Sequence, residues 1–170
     1  MSDFQRTPTE QTADERATLA SFLDFQRDTL AMKCAGLTTG QLRARVLEPS
    51  ALSLLGLVRH LAEVERGWFR NTFADEAAAG LWRRPDGGFA EFDVDEAGDA
   101  EAEEAFAVWR GECNHARELV AAAESLDVVG HRGEESFSLR WILTHMIEEY
   151  ARHNGHADLL REHLDGATGE

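Results

Sequence analysis

Proline and cysteine are scarce in this 170-residue chain, at 3 and 2, and its 17 Lys+Arg are outnumbered by 32 Asp+Glu, for a formal net charge of −15. Each shortage excludes something. Cys34 and Cys113 form neither a CxxC pair nor a disulfide framework, so they read as small buried apolar side chains in a reducing compartment. The shortage of bases leaves no basic face for nucleic acid or anionic lipid, both of which bind through clustered Lys and Arg. No stretch approaches the roughly 18 apolar residues of a membrane span, and the opening MSDFQRTPTEQTADER has no apolar run of a secretory signal. A soluble, cytoplasmic protein is expected. GxSxG, GxGxxG and GxxxxGKS/T are all absent, which removes support for serine-hydrolase, dinucleotide and P-loop chemistry.

What is present is enough for one folded body. Four Trp and nine Phe within 43% apolar residues are too many for a disordered acidic chain, and 170 residues suffice for a single core, read as one domain over 1–170. The charge is uneven: residues 1–84 carry 11 acids and 11 bases, residues 85–135 carry 15 and 3, and residues 136–170 carry 6 and 3. Most of the surplus is expected to solvate one outer flank.

Apolar residues at helical spacing predict amphipathic helices over about 13–35, 50–73, 99–125 and 138–164, with Ser50 as cap of the second. No strand-like alternation is seen, so the expected class is all-α, an antiparallel four-helix bundle. The irregular stretch 83–98 between the second and third helices is long enough to be functional or a crossover. From its end into the third helix, Asp93, Asp95, Gly98 and Glu104 match calcium-loop spacing, but position five lacks an oxygen ligand, and the stretch reads as an acidic loop capping the third helix.

The fourth helix holds the densest polar cluster. At about 100° per residue, His145, Glu149, His153 and His156 fall on one face together with Ile142, so these groups point at least partly inward. Glu149 and His153, at i and i+4, are spaced to reach one ion, and His60, amid Leu57, Leu61 and Val64 on the second helix, is the natural third ligand. Two His and one carboxylate leave positions open on a divalent ion, the mark of a catalytic site. Spacing alone weighs this evenly against a satisfied core histidine and a solvated charged face, because i,i+4 Glu/His pairs are common. His115, His131 and His163 show no such clustering and read as surface residues. Cys113 has His115 two residues on, which on a helix points elsewhere, so no thiol nucleophile is expected.

The stretches Leu54–Phe69 and Arg140–Glu162 resemble the DinB-like superfamily, and more narrowly its actinobacterial mini-circle-type branch. The similarity runs from about residue 14 to 166. It implies an up-down-down-up bundle whose second link is the crossover, and a divalent metal, zinc or nickel, held by His60, Glu149 and His153. Many DinB-like proteins have His where Glu149 stands, while the related mycothiol-dependent maleylpyruvate isomerases have Glu. The place of His156 implies an orienting role, and His145, one turn before the trio, is the substitute ligand. Both are taken as candidate catalytic groups, and Trp68 and Arg152 as candidate pocket residues.

Relatives include thiol transferases and isomerases. The implied function is therefore a metal-dependent thiol S-transferase joining a low-molecular-weight thiol, mycothiol first among candidates, to an electrophilic small molecule. Its rivals are a metal-dependent hydrolase and a non-catalytic, stress-associated metal-binding protein. Bundles of this kind often pair, so a homodimer is one expected state.

Overall fold

The computed structural model describes residues 6–168, so the first five residues of the amino-terminal stretch, and the last two of the chain, lie outside it. The architecture is all-α apart from one small hairpin. Helix α1 spans Glu15–Cys34, α2 Thr39–Arg43, α3 Leu54–Glu65, α4 Asp99–Ala122 and α5 Leu139–Asp165, with strands β1 Val129–Arg132 and β2 Glu135–Ser138 ahead of α5. Among the described residues no helix is long and apolar enough to cross a membrane.

Each helix begins where a side chain can take up its free amides. Asp14 accepts from the Ala17 amide, Ser138 from the Trp141 amide, and Thr38 forms a reciprocal capping box with Gln41. The second long helix starts later than expected. Ser53, not Ser50, caps it by accepting from the Gly56 amide, while the Ser50 hydroxyl is used within a turn by the Leu52 amide. A start at Leu54 places Leu54, Leu55, Leu57, Val58 and Leu61 wholly inside the core. Past Glu65 the helix continues through Arg66–Phe73 in wider π-helical turns, a form that is rare and clusters at functional sites.

One core joins these elements. Helix α1 packs chiefly on α5, and α3 packs on α4 and also touches α5, around Leu23, Leu30, Leu57, Ile142, Met146 and Leu160. At its centre lies a charge. Arg27 of α1 donates to both oxygens of Glu65 on α3 at 2.7 Å each, with side chains only 4% and 0% exposed. Tyr150 of α5 donates to Glu65 at 2.8 Å and accepts from Trp109 of α4 at 2.8 Å. A single network therefore ties all four long helices together.

The hairpin departs from the expectation of no strands. Four-residue strands are too short to display alternation, and their pairing, Val129 with Ser138 through Arg132 with Glu135, depends on Gly133 at φ +60° in the turn and on what lies beneath. Gly130 sits against the π-helical segment so closely that a Cβ there would lie 2.2 Å from the Thr72 carbonyl oxygen and 2.5 Å from the Phe73 Cα. Both are backbone atoms, so Gly130→Ala is expected to cost about 1–3 kcal/mol, or about 2–4 °C of melting temperature per kcal/mol for a domain of this size. Thermal melts followed by circular dichroism measure this; an unchanged midpoint would mean the hairpin is not seated there.

The long link between Phe73 and Asp99 is pinned onto α3. Glu63 accepts from the Leu81 and Trp82 amides at 2.7 and 2.9 Å, Arg59 donates to the Asp93 carbonyl, and Phe92 lies against Gly56. The calcium-like spacing is used otherwise: Asp93 pairs with Arg84 and Asp95 with Arg45, while Gly98 and Glu101 cap α4. The acidic segment is not all outer flank. Glu112 is buried between Arg66 and Arg70, and Glu91 is buried beside His60.

Candidate metal centre

His60 sits on α3 at the edge of the buried stripe, and Glu149 and His153 sit one turn apart on the inward face of α5. Since α3 touches α5, the three meet. Glu149 Oε1 lies 3.3 Å from His60 Nε2 and 3.2 Å from His153 Nε2, and the three ligand atoms lie within 4.8 Å of one another. All three residues are half-buried. Two donors bound to one zinc ion at tetrahedral angles stand about 3.4 Å apart, given bonds of about 2.0–2.1 Å, so the donor set fits a divalent ion with little movement.

The electrostatics favour the same ion. Burial, the largest influence on Glu149, opposes its charge, yet the hydrogen bond from His60 and the fields of His153, His60 and His145 outweigh it and hold the carboxyl below its usual value. Burial first, and then the charge of His60, push the His153 imidazole below its usual value against the pull of Glu149. An ionised carboxylate beside a neutral imidazole is the protonation state that metal binding requires.

His156 belongs to this group, its Nδ1 standing 3.4 Å from His153 Nδ1. His145 lies apart from the three donors. Its ring stacks on Trp141 at 5.0 Å and meets Trp68 edge-on at 4.8 Å, and its Nδ1 is 3.8 Å from Glu148. Arg152 pairs with Glu148 on the exposed side of α5. Of the other histidines, His115 contacts Glu76 and His131 contacts Ser136, both away from the trio. Cys34 and Cys113 are buried and free, the first pushed up to about 12 by burial and the second raised by burial and by Glu65, so neither is a ready nucleophile.

A cavity of about 560 Å³ opens beside His60, walled by Val64, Trp68, Arg83, Phe89 and Arg132. Arg132 lies over Trp68, its Cζ 4.0 Å from the ring centroid, and donates two hydrogen bonds to the Thr72 hydroxyl, which the π-helical segment presents. Sequence reasoning missed Arg132 and the aromatic wall of Phe137 and Trp141 around Trp68. It also missed Glu91, whose Oε1 is 3.7 Å from His60 Nδ1. No spacing rule could have found that contact, because the link delivers Glu91 to α3 by tertiary packing.

Residues 18–166 match the model of the mycothiol-S-transferase family. The comparison with curated proteins finds no match.

Proposed function

Because the chain belongs to the mycothiol-S-transferase family of the DinB-like superfamily, we propose that it joins mycothiol to an electrophilic small molecule at a divalent-metal centre held by His60, Glu149 and His153. The observation that carries this reading is the convergence of those three donors from two helices beside a cavity of small-molecule size. Zinc is the first candidate for the metal and nickel the second, both suited to imidazole with carboxylate. When bound, such an ion supplies a Lewis acid that favours the thiolate form of an incoming thiol.

The remaining work falls to the chain's own residues. Burial favours the neutral form of His153, while Glu149, whose own burial opposes its charge, is favoured in its ionised form chiefly by the hydrogen bond from His60. His156, against His153, is an orienting or proton-handling group, and His145 serves from the aromatic wall. Trp68, Val64 and Phe89 give the acceptor an apolar surface. The helix contacts and the family match support an up-down-down-up bundle in a single DinB-like domain, with the 74–98 link as its crossover.

The test is consumption of a fluorogenic electrophile by the zinc-loaded protein with and without mycothiol. The expected result is turnover that needs both thiol and metal and joins the two reactants through a new carbon–sulfur bond. Equal turnover without thiol would establish hydrolysis instead. A cobalt-loaded sample whose visible spectrum ignores added thiol, with no turnover, would leave a non-catalytic metal-binding protein.

A further inference from the structure

Glu91 is a buried carboxylate with no obvious reason to be there. It is 9% exposed, it comes from the link between α3 and α4 and not from a helix, and its Oε2 is buried without a hydrogen-bond partner among the described residues. Leaving a buried polar atom unpaired costs about 1–3 kcal/mol, more for a charged group, so a carboxylate held this way calls for a use. Its other oxygen faces His60 Nδ1 at 3.7 Å, longer than a hydrogen bond but within ion-pair reach. The next residue, Phe92, stacks on the same ring with centroids 5.5 Å apart and planes 28° from parallel. Gly56, one turn before His60, makes room for it, since a Cβ there would lie 2.7 Å from Phe92 Cδ1. The link thus cradles the His60 imidazole on one face and at one edge.

The His60 ring proton has two places it can sit, and they differ in what they offer Glu91 across the 3.7 Å gap. A neutral imidazole has one N–H. Placed on Nε2, it serves Glu149 at 3.3 Å, and Nδ1 then turns a lone pair toward the Glu91 oxygen, which repels it. Placed on Nδ1, it gives Glu91 a donor and frees the Nε2 lone pair to face the centre shared with Glu149 and His153. A carboxylate on the far nitrogen is the arrangement that orients metal-bound histidines and raises their basicity.

We infer that Glu91 is a positioning residue that fixes the tautomer and ring orientation of His60 for metal binding. This rests on the centre proposed above and adds a specific role for the interhelical link: the segment that closes the fold also readies one ligand. Glu91 touches neither substrate nor ion in this role; it acts through His60.

The experiment measures zinc affinity of the full-length, metal-stripped protein by competition with a chromophoric chelator, for wild type, Glu91→Gln and Glu91→Leu. Leucine removes the acceptor and is expected to weaken binding about 10- to 100-fold. Glutamine keeps an acceptor oxygen without the charge, and its affinity is expected to fall between the two. Melting of the metal-free proteins is the fold control: relief of the unpaired oxygen means that Glu91→Leu melts no lower than wild type, so weaker binding comes from loss of positioning. In the cobalt-loaded proteins the visible bands are expected to keep their positions, because the donors touching the ion are unchanged. Affinity within twofold of wild type in both variants would overturn the inference, as would band shifts marking Glu91 as a direct ligand. Absence of zinc binding by wild type would overturn the centre itself, an outcome distinct from both.

Discussion

Glu65→Ala is expected to destabilise the fold by about 3–5 kcal/mol, the cost of stranding one member of a buried ion pair. Arg27 would keep its charge at 4% side-chain exposure with Asp24 as its remaining carboxylate. Arg27 holds its proton more tightly than usual in place: burial opposes its charge, but Glu65 more than compensates. Tyr150 and Cys113 would also lose their acceptor. Against a typical total stability of about 5–15 kcal/mol, such a loss is severe. Chemical denaturation measures it, and a loss under about 1 kcal/mol would mean that the network is not what holds the four helices in register. The double variant Arg27→Met with Glu65→Leu is expected to recover most of the stability, because burying two apolar groups costs less than burying one unpaired charge.

His153→Ala is expected to lower zinc affinity by about 100-fold or more. Sites with four structural ligands total about 10–16 kcal/mol, or about 3 kcal/mol per donor, and about 1.4 kcal/mol is a factor of ten. His60→Ala should behave alike, since both imidazoles face the same oxygen of Glu149 at 3.2–3.3 Å. His156→Ala should retain metal, because the groups facing the shared oxygen are His60 and His153. The readout is metal content by elemental analysis after dialysis against a competing chelator. Full occupancy in His60→Ala and His153→Ala would remove those residues from the ligand set.

Much of the site is legible in the amino-acid sequence. Glu149 and His153 are local, four residues apart on one helix, and helix geometry alone puts them on one face. His60 stands out because an ionisable group on an apolar stripe needs a partner. By the same logic Glu65, four residues past Leu61 on that stripe, also asks for one, but its partner Arg27 is 38 positions away and nothing local points to it. Ser50 and Ser53 are equivalent as caps in the sequence. The choice falls to Ser53 because a start at Leu54 buries the leucines that follow.

By itself the sequence determined the quantities that short-range physics controls: which segments are helical, which face of each is apolar, where the negative charge collects, and the resemblance to the DinB-like superfamily that the family match bears out. Tertiary structure decided what depends on chain segments that are distant in sequence meeting in space. It seated a hairpin too short to show alternation against the Thr72 backbone, joined Arg27 to Glu65, and brought His60 to the α5 pair with Glu91 at its back. The division has one physical cause. Periodicity and capping act over a helical turn, whereas an ion pair or a ligand set is selected by the packing of whole elements, and a loop residue such as Glu91 has no periodicity to announce where it will be placed.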